Sequence, residues 1–297
     1  LSSERIIVGL VGEGILESLT PDMHMAEAVK LGLDYEYRVI DLLAHEYRGL
    51  SIEHVLEEAR IEGFRALNVT HPFKQSVMSL LDNLSEDAQR IGAVNLIIFD
   101  EGLTRGENTD WTGFGSSLSE GLIDAQWDHV VQFGAGGAGA ATAYALLKHG
   151  VQNLVIADLN IEKAAAVANH YRALFPRQNV ISTPTTEANK MMNEADGIVQ
   201  ATPVGMNTHP GVPFDLDLVN GSAWVADVIY RPFETQLLCE ARERGHRVLD
   251  GRRMAIGQAV DSLKLITGLE PNSDRMGRDF SDLVTGRRPL SKLQGFK

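Results

Sequence analysis

Six small residues in a row, Gly134, Ala135, Gly136, Gly137, Ala138 and Gly139, follow the apolar segment HVVQF and lead into an alanine-rich stretch of helical character. In a GxGxxG pattern the first glycine permits a tight strand-to-helix turn, the second lets backbone approach a pyrophosphate, and the third allows close helix packing. The helix start then offers unpaired N–H groups and the positive end of its dipole, so an anion is held without a cationic side chain. Asp158 ends the next strand-like run, NLVIAD, 19 residues after Gly139. That is near the spacing of about 20 at which a carboxylate accepts the ribose hydroxyls of a dinucleotide. A carboxylate there repels a 2′-phosphate and so favours NAD over NADP; Lys163 is the nearby cation that would soften the preference.

Oxidising an alcohol with such a cofactor needs a group to take the hydroxyl proton: His, Lys, Tyr, or an Asp with a partner. The segment LNVTHPFKQ places Asn68, Thr70, His71 and Lys74 at a strand end, and two further polar clusters follow, GAVN ending at Asn95 and GENTD ending at Asp110. Polar groups at the carboxyl ends of strands are where α/β sheets bind ligands, although Asn, Asp and Gly also favour turns for purely local reasons. The nine histidines form no HxH or HExxH pair, and Cys239 is the single cysteine, so neither a compact zinc motif nor an intramolecular disulfide is expected.

The elements that must carry these residues alternate. Strand-like runs over 5–11, 35–42, 65–70 and 95–100 are separated by helical patterns over 23–31, 52–62 and 75–81, which predicts parallel strands covered by helices. Ser51 stands where it can cap the second of those helices. A helical stretch over 113–122 and a polar break lead to a second series, with strands at HVVQF, 153–158, 180–182, 197–201 and 224–230, as in a doubly wound sheet. A long helix over 254–267 follows, with Met254, Gln258, Asp261 and Leu265 on one face.

At 297 residues the chain is long enough for two domains. Its 27 basic and 40 acidic residues leave a net charge of −13, a field that repels nucleic acid and anionic membranes. The basic tail from Arg287 to Lys297 reads as a solvated, frayed end. No apolar run approaches the roughly 20 residues that span a bilayer and the start has no signal-peptide pattern, so a cytoplasmic location is expected.

The ordered set SLTP at 18–21, NVTHPFK at 68–74, GAVN at 92–95, NTD at 108–110, GAGGAG, ATPVGM at 201–206, DVIYRP at 227–232 and DGRRMAIGQA at 250–259 resembles the shikimate and quinate dehydrogenase family. The resemblance implies an α/β protein of two domains: a discontinuous α/β substrate domain, and an inserted Rossmann-type doubly wound NAD-binding domain. Their expected extents are 1–110, 111–250 and, for the C-terminal helices that return to the substrate domain, 251–297. It further implies Lys74 and Asp110 as the catalytic pair, Ser18 and Thr20 as ligands of the substrate carboxylate, Asn68, Thr70, Asn95 and Gln258 as ligands of the ring hydroxyls, and Tyr230 beside the carboxylate. The glycine loop, Asp158 and Thr202 would hold NAD.

Three positions depart from the commonest biosynthetic pattern of that family. Thr20 stands for the second serine of an SxS pair, His71 for a small apolar residue, and Asp158 with LNIEK for an NADP-binding Asn-Arg-Thr turn. Together they resemble the NAD-dependent subgroup that oxidises quinate as well as shikimate. The expected activity is thus reversible NAD-dependent oxidation of quinate or shikimate to the 3-dehydro acid, by a monomer or homodimer acting on a small molecule. An aminoshikimate or aminoquinate dehydrogenase and a non-catalytic NAD-binding paralogue remain as alternatives.

Overall fold

A computed structural model describes residues 5–287; the tail beyond Arg287 lies outside the described residues. The chain forms two compact units, one made of residues 1–109 and 256–297 and the other of residues 110–255.

In the discontinuous unit the order is β1 (Ile6–Gly12), α1 (Thr20–Lys30), β2 (Tyr35–Asp41), α2 (Ile52–Ile61), β3 (Ala66–Val69), β4 (Asn83–Leu84), α3 (Glu86–Ile91), β5 (Leu96–Asp100) and β6 (Leu103–Glu107). These strands make one sheet, ordered β2-β1-β3-β5-β6-β4. The alternation of strands and helices predicts only parallel pairing, and this is corrected here. β1 is parallel to β2 and β3, but β5 runs antiparallel to both β3 and β6. The β5–β6 pairing follows from the tight connection between them: Glu101, with φ 48°, and Gly102, with φ 82°, turn the chain straight back into β6, leaving no room for a crossover helix. β6 itself was hidden because LTRGE carries a glycine and two charges. In the sheet Thr104 and Gly106 face inward while their neighbours stay largely solvated.

Other boundaries shift for local reasons. α1 begins at Thr20 rather than Met23, with Pro21 in its first turn, where a missing N–H costs nothing. The stretch expected to be helical at 75–81 is a short 3-10 turn, Ser76–Leu80. The Ser51 hydroxyl caps α2 as expected, accepting the His54 N–H at 3.3 Å.

Alternation along the strands sends two sets of side chains to opposite faces of this sheet. Val11, Ile40, Leu67, Val69 and Ile97 pack with α2 on one face, while Val8, Leu10, Tyr37, Ala66, Leu96 and Ile266 pack on the other. Asn68, two residues from Ala66, shares that second face.

The second unit follows with α4 (Asp110–Gly121), β7 (His129–Phe133), α5 (Gly137–His149), β8 (Asn153–Ala157), α6 (Ile161–Leu174), β9 (Asn179–Thr183), α7 (Thr185–Met191), β10 (Gly197–Gln200), β11 (Trp224–Asp227), α8 (Gln236–Glu243) and β12 (Val248–Leu249). Its sheet, ordered β12-β11-β10-β7-β8-β9, is parallel throughout. The order reverses between β7 and β10, the switch point of a doubly wound Rossmann-type sheet. β11 stops at Asp227 and does not run on to Tyr230. Trp224, almost fully buried, packs its ring against Gly197, where any Cβ would strike it, and its indole N–H donates to the Gln126 carbonyl at 3.0 Å.

α9 (Arg252–Thr267) and α10 (Ser273–Val284) complete the chain. α10 is fixed to α1 through Glu27, whose side chain is fully buried. Arg275 donates to Glu27 Oε2 at 2.6 Å and to Oε1 at 2.5 Å, and the Asn272 N–H donates to Oε1 at 2.8 Å. Burial alone would raise the Glu27 carboxyl; the Arg275 and Asn272 hydrogen bonds and the Arg275 charge outweigh it, so the group sits below its ordinary 4.5. Replacing Glu27 by Gln leaves Arg275 without its counter-charge and is expected to cost about 2–4 kcal/mol at pH 7. A carboxylate with a depressed folded pKa stabilises fully above its unfolded value and less as the pH falls through the folded one. Urea titrations should therefore show the gap between Glu27→Gln and the parent narrowing below pH 4.5. A constant gap would refute the ionic origin.

Candidate functional site

The loop from β1 to α1 carries Ser18, leads into Thr20 at the start of α1, and is shaped by Asp41, a buried carboxylate at the carboxyl end of β2. Its Oδ1 accepts the Gly14 and Leu43 N–H groups at 2.9 and 3.0 Å, and its Oδ2 accepts the Ile15 N–H at 2.9 Å. A second tie runs from the Glu13 N–H to the His71 carbonyl at 3.0 Å, and Gly12 lies against the Thr70 side chain. Ser18 and Thr70 are therefore delivered by neighbouring loops. The Thr20 N–H points to Ser18 Oγ at 3.4 Å, and Gln258 Nε2 approaches Thr20 Oγ1 at 3.5 Å.

Asn68, within β3, is nearly inaccessible. The Tyr37 hydroxyl donates to its Oδ1 at 2.7 Å and its Nδ2 donates to Ser262 Oγ at 3.3 Å. Ser262 Oγ lies 3.0 Å from Thr109 Oγ1, which in turn donates to the Gln258 carbonyl at 3.1 Å. Thr109 also clamps Asn95: its N–H donates to Asn95 Oδ1 at 2.7 Å and its Oγ1 accepts from Asn95 Nδ2 at 2.9 Å. Asn68, Asn95, Gln258 and Thr20 thus belong to one hydrogen-bonded set.

Lys74 is half-buried in the turn after β3, and its carbonyl accepts the Val94 N–H at 2.7 Å, next to Asn95. Asp110 follows Thr109 directly, is buried, and opens α4 in the second unit. His71 is exposed, and its carbonyl is the group in use.

In the second unit the six-residue loop joins β7 to α5. Gln132, fully buried, donates from Nε2 to the Gly134 and Gly139 carbonyls at 2.9 and 2.7 Å, and its Oε1 accepts the Thr142 hydroxyl at 2.8 Å. Gly134 has φ 107°, and a Cβ there would lie 2.5 Å from the Ala201 carbonyl and 3.0 Å from the Thr202 N; a Cβ on Gly139 would strike the Gly134 carbonyl. Gly136 differs. The nearest atom to a Cβ there is Lys163 Nζ, at 3.9 Å. Ala135 is buried, whereas Gly137 and Ala138, in the first turn of α5, are half-buried.

Asp158, just past β8, reaches back to this loop: Oδ2 accepts the Ala135 N–H at 2.8 Å and Oδ1 the Asn160 N–H at 2.9 Å. Thr202 is held by Gln200, whose Oε1 accepts both the Thr202 N–H and hydroxyl at 3.0 Å. Tyr230 is half-buried in the loop after β11. Among the described residues, no group of three or more His, Cys, Asp or Glu is arranged to hold a metal ion, and no helix is long and apolar enough to cross a membrane.

The family described as the shikimate dehydrogenase substrate binding domain matches residues 10–97, and that described as shikimate/quinate 5-dehydrogenase matches residues 119–207. The chain belongs to the shikimate/quinate dehydrogenase family. Within it, a shikimate dehydrogenase (NADP(+)) of Arthrobacter sp. is 49% identical over 282 residues, covering 95% of this chain and 96% of its own length. A quinate/shikimate dehydrogenase (NAD(+)) of Corynebacterium efficiens is 48% identical over 284 residues, covering 95% of this chain and all of its own. Among solved structures, quinate dehydrogenase from Corynebacterium glutamicum in complex with NAD superposes with a TM-score of 0.88 at 46% identity, covering 94% of this chain and 99% of that one.

Several residues that shape the site in this family member were not singled out by sequence. Gln132 interrupts the apolar run of β7 and Gln200 ends the apolar run of β10, a signal that could have found them; Tyr37 and Asp41 lie in β2 beside Glu36 and Arg38, where no such contrast marks them. Ser262 lies one helical turn after Gln258, on the same side of α9.

Asp227, at the carboxyl end of β11, is another. It is buried, and it accepts the Ile229 N–H at 2.9 Å and the Thr235 hydroxyl at 2.7 Å, closing the loop that carries Tyr230. Burial pushes its carboxyl up to about 6, with Asp250 adding to the rise and the two hydrogen bonds opposing it. An acid whose folded pKa is raised binds its proton more tightly when folded, so stability falls as the pH rises from the unfolded value, 3.8, to about 6, and stays lower above. Between pH 4 and 7, Asp227→Asn should gain on the parent by up to about 3 kcal/mol. Any constant offset from altered hydrogen bonding drops out of the slope. Parallel slopes in denaturant titrations would contradict the assignment.

Proposed function

We propose that the protein catalyses the reversible NAD-dependent oxidation of quinate or shikimate to the 3-dehydro acid. The discontinuous unit takes the role of substrate domain and the second unit that of dinucleotide domain. The observation that carries the cofactor choice is Asp158. Its two oxygens lie over the Ala135 and Asn160 N–H groups at the end of β8, where a carboxylate accepts two ribose hydroxyls and repels a 2′-phosphate. The residues suit a dinucleotide on a separate count: the one atom within 4 Å of a Cβ on Gly136 is the flexible end of Lys163, at 3.9 Å, so the packing of the loop does not itself demand a glycine there, and a closely approaching ligand would. Support for substrate comes from the family and from the polar set around Asn68, Asn95, Gln258 and Thr20.

The nicotinamide supplies the hydride acceptor, and the chain's own task is to hold the acid and move a proton. Ser18 and Thr20 receive the carboxylate, with Tyr230 near it, while Asn68, Thr70, Asn95 and Gln258 bind ring hydroxyls. Lys74 Nζ takes the hydroxyl proton as the carbon is oxidised and returns it on reduction, and Asp110 holds Lys74 and that hydroxyl in line. The presence of both Lys74 and Asp110 favours this over a non-catalytic paralogue. Thr202, beside Gly134, joins the glycine loop and Asp158 in holding NAD.

Initial rates with quinate and shikimate, each with NAD and NADP, test this directly. NAD should give the higher kcat/KM, and Asp158→Ser should narrow the difference; equal or better use of NADP by the parent would reject the cofactor assignment. Lys74→Ala should lower kcat by about 10²- to 10⁴-fold while dinucleotide affinity, read by fluorescence titration, stays near that of the parent. Near-normal turnover would remove Lys74 from the mechanism.

A further inference from the structure

The glycine turn and Asp158 are joined through a single peptide group. Gln132 Nε2 has two hydrogens, and both are committed to backbone carbonyls, that of Gly134 at 2.9 Å and that of Gly139 at 2.7 Å. A carbonyl can only accept, so the amide stands one way round: turned over, its oxygen would face two other oxygens. Its Oε1 meets the Thr142 hydroxyl at 2.8 Å, so no polar atom of this buried side chain is left unused. The Gly134 carbonyl belongs to the peptide group whose other end is the Ala135 N–H, and that N–H donates to Asp158 Oδ2 at 2.8 Å. The Gly134 N–H in turn donates to the Ala157 carbonyl at 2.7 Å. From Gln132 to Asp158 every donor is an N–H and every acceptor a carbonyl or carboxylate oxygen, so the direction of the chain is fixed. Its starting point is rigid, because Gln132 lies within β7 with β8 and β10 paired on either side.

We propose that Gln132 is a positioning residue for the dinucleotide: through the Gly134–Ala135 peptide it holds the Asp158 carboxylate in the place where it discriminates NAD from NADP. The inference rests on the reading of Asp158 as the ribose ligand given above. Gly134, with φ 107° and no side chain, offers little resistance of its own to turning of that peptide. A flip would bring the carbonyl oxygen to where the N–H now meets Asp158, setting oxygen against carboxylate. Gln132 prevents this by holding the carbonyl, and its donated hydrogen also polarises the peptide and strengthens the bond its N–H makes. The other oxygen of Asp158 is fixed separately, by the Asn160 N–H at 2.9 Å. A carboxylate free to turn could step aside from a 2′-phosphate; one held on both oxygens cannot, and its repulsion acts in full. The neighbours of Gln132 along β7, Val130, Val131 and Phe133, are apolar and buried, so the strand itself has no use for an amide there.

The test uses the whole enzyme with shikimate at saturation and NAD or NADP varied. Gln132→Met fills similar space in an apolar strand and withdraws both donated hydrogens. It should lower the NAD-to-NADP ratio of kcat/KM by about tenfold, chiefly by raising the KM for NAD. Turnover at saturating NAD and the KM for shikimate should stay within about twofold of the parent. Asp158→Ser has already lost what Gln132 secures, so adding Gln132→Met to it should move the ratio by less than about twofold. A purely structural role would instead lower stability in both backgrounds and shift the ratio in neither. Thr142→Val, which frees Oε1, should relax the ratio in the same sense, and Thr142→Ser should bring it back; this pair serves if Gln132→Met fails to fold. An unchanged ratio in Gln132→Met, or in Thr142→Val where only that variant folds, would overturn the inference, as would a loss that adds in full to that of Asp158→Ser. A parent that uses NADP as well as NAD would instead overturn the cofactor assignment in the proposed function.

Discussion

The loops that carry Ser18, Lys74, the glycines, Asp158, Thr202 and Tyr230 each leave the carboxyl end of a strand, where backbone N–H and C=O groups run out of sheet partners and must still be paired if buried. In both units this demand is met by buried polar side chains. Asp41 gathers three N–H groups of the loops after β1 and β2; Gln132 takes two carbonyls of the glycine loop; Gln200 binds the turn at Thr202 through both ends of its amide; Asp227 closes the loop of Tyr230. Remove these and the strands would survive, but the loops would lose their one geometry.

The same constraint explains the glycines. With Gln132 holding the Gly134 and Gly139 carbonyls, a Cβ on Gly139 would strike the Gly134 carbonyl, and one on Gly134 would strike the Ala201 carbonyl, so those two glycines are required by the protein's own packing. Gly136 is not. A motif that reads as a single recognition element is therefore divided, with two positions serving the turn and one serving whatever lies over it.

Much of this was legible in the sequence. The glycine loop, its strand and helix, and Asp158 at the next strand end all stand where GxGxxG spacing puts them, because that pattern is dictated by local geometry. The strand alternation that places Asn68 opposite Leu67 and Val69 was equally plain. What could not be read was long-range: that β5 and β6 fold back antiparallel, and that Tyr37, Thr109 and Ser262 meet behind Asn68. Asn68 and Ser262 are 194 positions apart, and their meeting depends on the chain returning to the first unit through α9. A buried serine four residues past Gln258 has no sequence signature that distinguishes it from an ordinary helix residue.

The location of the tryptophans has a practical side. Trp111, Trp127 and Trp224 all fall within residues 110–255, with the Trp127 and Trp224 rings 5.1 Å apart and Trp111 edge-on to Tyr144. Indole emission is therefore a reporter of the dinucleotide unit alone, whereas the discontinuous unit is spectroscopically silent at those wavelengths. A lesion confined to the silent unit that nonetheless moves the emission transition would be direct proof that the two units melt as one cooperative body.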